Sequence, residues 1–221
     1  MTRSLVLSGG GRYADEWHDF AATSQRLASI LAGLGLDVDV SDDIPARLGD
    51  LAGVDLLVIN AAAGPTDDAG ASARAALDAF LARGGGILAV HVGVCYLLDL
   101  PSWPEITGAS WVPGQTMHPP LGLSRVDVSS RAHPIATGSE SFDLVDERYS
   151  HLGLLAGSTV FATHRHDGLV HPLLWTRAVG GSRVVSDVLG HGIESYDSAA
   201  HRALISRSVR WLSRDELDTG S

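Results

Sequence analysis

The side chains best able to do chemistry here are imidazoles. The chain carries 10 histidines in 221 residues, and near neutral pH an imidazole can bind metal or act as general acid or base. His91 is set apart by its surroundings, because it closes the apolar run Ile87-Leu88-Ala89-Val90. An ionisable ring at the end of a buried strand is either satisfied by a backbone carbonyl or used at a site, and the run itself favours neither. No two histidines form an HExxH pair, so a metal site would have to draw on residues far apart in the chain. His164 and His166 would share one face of a strand, where a solvated edge explains them better. The glycines Gly9-Gly10-Gly11 follow a second apolar run, Leu5-Val6-Leu7. They fit neither GxGxxG nor a P-loop, so a tight turn that brings backbone near a ligand is the better reading. Cys95 is the one cysteine. It excludes an intrachain disulfide and fits a reducing compartment. A reactive thiol needs a strained, exposed turn and a nearby base, and a buried cysteine at the start of a helix is the plainer account of it.

These groups need a scaffold to bring them together. Leu5–Leu7, Leu56–Ile59 and Ile87–Val90 are continuous apolar runs, as expected of strands buried on both faces, and the last strand is expected to reach Val92. Leu36, Val38 and Val40 alternate with Asp37 and Asp39, as in a strand with one wet face. Between them Phe20, Leu27, Leu31 and Leu34 recur at helical spacing, with Asp19 as cap and Gly35 as stop. Leu77, Phe80 and Leu81 make a second helical stripe, ended by Gly84-Gly85-Gly86. The order predicts an α/β fold: a doubly wound, mostly parallel sheet with helices on both faces. From Asp99 to Pro120 the chain is rich in Pro, Trp and Gly. Leu121–Val128, Phe142–Val145 and Val160–His164 read as shorter strands, and Leu173–Trp175 and Val184-Val185 flank Gly180-Gly181 as a hairpin. Ala199–Leu212 reads as an amphipathic closing helix. No repeat or linker divides the chain, so we expect one domain over residues 1–214 with a polar tail at 215–221. Ligands of open parallel sheets bind beyond the carboxyl ends of strands, where Ser8–His18, Asn60 and His91 fall.

The formal net charge is -10, from 16 Lys+Arg against 26 Asp+Glu. That balance repels nucleic-acid phosphates and anionic membranes, so neither is an expected partner. No segment approaches the roughly 20 apolar residues of a membrane helix. Met1–Ser8 lacks the apolar run of a signal peptide, and a cytoplasmic location follows as the expectation. A homodimer is a reasonable expectation for such folds.

Leu7–Gly11 with Trp17-His18-Asp19, Gly84–His91, His133-Pro134-Ile135, Asp146-Glu147-Arg148-Tyr149 and Leu189-Gly190-His191, taken in order, resemble the ThuA-like (trehalose utilisation) family of the class I glutamine amidotransferase-like superfamily. The similar segments are Leu7–Gly11 with Trp17-His18-Asp19; Phe80-Leu81 and Gly84–His91; Trp103, Gly108 and His118; His133-Pro134-Ile135 with Gly138; and Phe142 with Asp146-Glu147-Arg148-Tyr149. Pro172 with Trp175, Gly181–Val184, Leu189-Gly190-His191 and Trp211 complete the set. The segment Gly93-Val94-Cys95 and the stretch after His18 depart from the family pattern and adjoin the expected pocket.

The resemblance implies an amidotransferase-like fold without the usual cysteine nucleophile, and a role in trehalose or other disaccharide use beside sugar oxidoreductases. It points to a pocket lined by His18, His91, His118 and His191, with Asp146, Glu147 and Tyr149 close by. His91, His191 and Glu147 would be catalytic; His91, His118 and His191 would hold a divalent metal such as zinc. His18, Asn60, Asp146 and Tyr149 would contact a sugar, and Trp103, Trp111 and Trp175 could stack on it, although for any one Trp core packing is the stronger reading. A ketone on the sugar would acidify its neighbouring C–H, so a His or Glu base could drive isomerisation or elimination. Two other readings stand beside this one. Gly93-Val94-Cys95-Tyr96 resembles the amidotransferase nucleophile turn and His191 with Glu194 its His-Glu pair, although His91 takes the place that directly ends the strand, and Asp99 stands where those enzymes usually have Gln. The last is a non-catalytic sugar-binding partner of an oxidoreductase.

Overall fold

A computed structural model describes residues 1–62, 70–95, 102–215 and 217. Tyr96, Asp99 and most of the polar tail lie outside the described residues. The first half alternates strands and helices: β1 (Arg3–Ser8), α1 (Phe20–Gly33), β2 (Asp37–Ser41), α2 (Ile44–Gly49), β3 (Leu56–Asn60), α3 (Gly70–Ala82) and β4 (Gly86–Val90). A short helix α4 (Trp103–Thr107) follows, then β5 (Ala109–Ser110), β6 (Gly122–Val128), β7 (Phe142–Asp146), β8 (Gly153–Leu154), β9 (Thr159–His166), β10 (Leu169–Val179) and β11 (Ser182–Asp187). Helix α5 (Ala199–Leu212) closes the fold.

The main sheet has nine strands in the order β2-β1-β3-β4-β11-β10-β9-β6-β7. Its half from β2 to β11 is parallel, as expected. Every residue of β3 and β4 is buried, which is why both read as unbroken apolar runs. Strand β2, at the edge, keeps its alternating half-wet pattern. Because β1 leads to β2 in one direction and β3 to β4 in the other, right-handed crossovers put α1 on one face and α3 on the opposite one. Asp19 caps α1 by accepting from the Ala22 N–H, and Gly35, at φ 82°, ends it in the left-handed region. The other half is antiparallel, running from β11 through β10, β9 and β6 to β7. Gly180-Gly181 forms the expected two-residue turn between β10 and β11.

One topological feature decides where the site lies. Strand β11, formed late in the chain, inserts parallel beside β4, with Asp187 level with Val90. The residues that follow each strand therefore emerge side by side, although about a hundred positions separate them in sequence.

Candidate functional site

At the end of β4 the chain turns sharply into a 3-10 helix, His91–Val94. His91 begins it at φ 49°, a left-handed conformation uncommon for a residue with a side chain. Gly93 permits the turn: a Cβ there would come within 2.7 Å of the Ile59 carbonyl oxygen. Trp103 donates its indole N–H to the Gly93 carbonyl at 2.8 Å, and Thr107 its hydroxyl to that of Val94 at 2.9 Å, which fixes the turn from below. The ring of His91 is buried, and its Nδ1 lies 2.9 Å from the Val188 carbonyl at the end of β11. A carbonyl only accepts, so Nδ1 carries the hydrogen and Nε2 points toward His18, His191, Glu147 and Tyr149.

Three further elements bring partners to that Nε2. The loop after β1 supplies His18, whose Nε2 is 3.1 Å away. Asp15 grips the Nδ1 of His18 with both carboxylate oxygens, at 2.7 and 2.8 Å. The loop after β11 supplies His191, with Nδ1 3.3 Å from His91 Nε2. The end of β7 supplies Glu147, with Oε2 3.3 Å from His191 Nδ1 and 3.6 Å from His91 Nε2. The Tyr149 hydroxyl, also 3.3 Å from His91 Nε2, completes the floor. His118 approaches from the mouth and puts Nδ1 3.3 Å from the other oxygen of Glu147.

Electrostatics follow from this packing. Burial works to raise the Glu147 carboxyl, but hydrogen bonds to His191 and His91 and the charges of His191 and His118 outweigh it, leaving the group well below the usual carboxylate range. The hydrogen bond to Glu147 raises His191. Burial and the neighbouring His91 lower His18 against the pull of Asp15. Above this floor lies a cavity of about 640 Å³, within the range of small-molecule sites. Trp17 and Trp111 stand on its walls beside Ala62 and Val92. Another cleft, about 400 Å³, lies by Met1, Asp55, Arg83 and Arg214, and among the described residues no imidazole or thiol lines it. Chemistry in a parallel sheet belongs at the carboxyl ends, so the histidine pocket is the candidate site.

The chain belongs to the ThuA family. Its sequence matches that family, described as trehalose utilisation, over residues 4–212. No curated protein matches it significantly. Among solved structures, a protein described as ThuA-like from Parabacteroides merdae gives a TM-score of 0.82 at 16% identity, covering 100% of this chain and 92% of that one. A second, from Bacteroides uniformis, gives 0.76 at 16% identity, covering 96% and 91%. A protein from Salmonella typhimurium, described as cytoplasmic, gives 0.64 at 12% identity, covering 96% and 99%. At these identities the likenesses show the fold alone. ThuA proteins belong to the class I glutamine amidotransferase-like superfamily. In this ThuA chain the turn that ends β4 presents an imidazole.

The structure brings His18, His91, His191, Glu147 and Tyr149 together and places several other candidates elsewhere. His18, not His118, joins the donor cluster, because His118 sits on the far side of the Glu147 carboxylate. Trp103 and Trp175 are fully buried, and Trp175 donates its N–H to the Thr107 carbonyl at 2.7 Å, so both are core residues rather than sugar platforms. Asn60 is buried and donates to the hydroxyls of Thr23 and Ser24, which ties β3 to α1. Asp146 is fully buried and accepts from the backbone N–H groups of Glu147, Gly190 and His191 at 2.8, 2.8 and 3.1 Å. It clamps the two loops that carry Glu147 and His191 instead of facing a ligand. Cys95 is buried, and desolvation pushes its thiol up to about 12, while Glu194 lies exposed; neither suits a thiol nucleophile and its base partner. Sequence reasoning overlooked Asp15, although its spacing of three residues from His18 is a recognisable carboxylate–imidazole signal. The Val188 carbonyl leaves no trace in the sequence.

Among the described residues no helix is long and apolar enough to cross a membrane.

Proposed function

We propose that this protein is a carbohydrate-modifying enzyme serving trehalose utilisation, with the histidine pocket as its active site. The observation that carries the reading is the convergence of three imidazoles and Glu147 on one point at the floor of an indole-walled cavity. The family description supports a sugar. Trp17 and Trp111 offer apolar faces to the C–H side of a pyranose ring. No Lys or Arg lines the cavity, and segments 63–69 and 96–101 contain none either, which favours a neutral sugar over a phosphorylated one.

The substrate class is a disaccharide or its keto derivative. On a keto sugar, the carboxylate of Glu147 or the imidazole it orients takes the proton from the carbon beside the carbonyl, while a neighbouring N–H or the Tyr149 O–H holds the oxygen as negative charge develops on it. His118, half-exposed at the mouth and touching Glu147, passes protons to and from solvent. The test is proton exchange in deuterium oxide. NMR should show wild-type protein placing deuterium beside the carbonyl of a keto-disaccharide, with Glu147→Gln and His191→Ala at least 100-fold slower and still folded. Absence of exchange and turnover with both trehalose and its keto derivatives would defeat the proposal.

A further inference from the structure

We infer that His18, His91, His191 and Glu147 form a binding site for one divalent transition-metal ion of the zinc class, which deepens the reading of the same pocket and rests on it only for the ion's catalytic use. The first argument is proton bookkeeping. The Val188 carbonyl holds the hydrogen of His91 on Nδ1, and the Asp15 carboxylate holds that of His18 on Nδ1. In their neutral forms both rings therefore aim bare Nε2 lone pairs at each other across 3.1 Å. Two lone pairs at that distance repel unless something electron-poor lies between them. The carboxylate of Glu147 adds further electron pairs to the same point, and the one hydrogen that His191 Nδ1 can carry serves Glu147 or His91 but not both, which raises that demand.

The second argument is dimensional. Zinc–nitrogen bonds of roughly 2.0–2.1 Å in a tetrahedron set neighbouring ligand atoms about 3.3 Å apart. The donor atoms here are separated by 3.1, 3.3, 3.3 and 3.6 Å along four edges of the set, and all four lie within 4.8 Å of one another. Among the described residues no other group of three or more His, Cys, Asp or Glu gathers its donor atoms this closely. The third argument is support and charge. Two of the imidazoles are oriented through their other nitrogen by a carbonyl or a carboxylate, as metal-bound histidines usually are. Asp15 and Glu147 bring two carboxylates to a pocket that, among the described residues, no Lys or Arg lines, which leaves a dication to balance them. Three nitrogens and one oxygen suit zinc, and also nickel or ferrous iron, better than magnesium or calcium. His18, Glu147 and His191 line the cavity while His91 lies beneath, so a bound ion would face the substrate space.

The probe is zinc itself, on tag-free protein incubated with zinc chloride, dialysed and analysed by elemental mass spectrometry. Wild type and His166→Gln, which alters a histidine outside the cluster, should each retain about one zinc per chain. His18→Ala and Glu147→Gln should bind at least 10-fold more weakly. His91→Asn should lose the ion altogether, asparagine being chosen because it tolerates positive φ. Circular dichroism and thermal melting confirm that each variant is folded; should one variant fail to fold, the others carry the test. A metal-free wild type, or zinc retained by the folded cluster variants, would overturn the inference. Because metal content is read without any sugar, its failure leaves the acid–base reading of the pocket intact, while failure of the deuterium exchange leaves the metal site intact.

Discussion

His164 gives the sharpest quantitative test of how the site is held. It lies on β9, fully buried, and its Nε2 donates to the Tyr149 carbonyl at 3.1 Å, so the ring supports the segment that carries Tyr149 into the pocket. Burial lowers its pKa to about 4, helped by the charges of His171 and Arg148 and opposed by the Tyr149 carbonyl. In the unfolded chain the same ring titrates near 6.5. Its folded pKa is depressed, so between those values the unfolded chain binds the proton first. Stability is therefore complete above about pH 6.5 and is lost as pH falls towards 4. Integrating that difference, His164 alone removes about 2–3 kcal/mol between pH 7.5 and 4.5. His164→Gln keeps an amide donor near the position of Nε2 but cannot take up the proton. Urea unfolding followed by tryptophan fluorescence at the two pH values should show wild type losing about 2 kcal/mol more than the variant over this window. The variant should start about 1 kcal/mol weaker at pH 7.5, because the amide fills less of the buried space than the ring. Equal acid-induced losses in the two proteins would refute the argument, because the neutral ring would then not be what the fold requires.

Three other consequences can be checked with the same material. With its thiol pushed up to about 12, Cys95 should react with iodoacetamide at least a thousand-fold more slowly in native protein at pH 7.5 than in urea; equal rates would revive the thiol-nucleophile reading. Asp146→Asn replaces a fully buried carboxylate that accepts three backbone N–H groups, so chemical denaturation should show a loss of about 2–4 kcal/mol, and a loss under 0.5 would show that the clamp is unimportant. His201 is held by Asp187 at 2.8 Å; burial works to lower its pKa, yet the charge and hydrogen bond of Asp187 raise it overall. Its contribution is therefore complete below the unfolded value near 6.5 and is lost as pH rises through the folded value, so wild type should lose more melting temperature from pH 6 to 9.5 than His201→Gln. Parallel curves would rule this out.

How much of this was legible beforehand differs from element to element for physical reasons. Strands β3 and β4 could be read directly, because a parallel strand covered on both faces must be apolar throughout. His91 was legible for the same reason: it interrupts such a run where ligands bind. His191 and Glu147 were reached only through family resemblance, since no local pattern says that β11 inserts beside β4. Trp103 and Trp175 stood as sugar candidates beside the stronger core reading because an indole on a sugar and an indole in a core look identical in sequence, and only burial and the hydrogen-bond partner tell them apart.

What local patterns miss is strand register, and register is what builds this site. With Asp187 level with Val90, the chain past β11 sets the Val188 carbonyl 2.9 Å from His91 Nδ1 and carries His191 on to the other side of the same ring. A slip of one residue would move that carbonyl by about 3.3 Å and turn each β11 side chain to the opposite face. His91 would then lose the bond that fixes its tautomer, and Asp187, the partner of His201, would point away from α5. The buried Asp187–His201 pair and the Asp146 clamp therefore do for the pocket what no pocket residue can do alone. They make the one register that assembles the histidines also the one register in which the buried charges on both sides of β11 are satisfied.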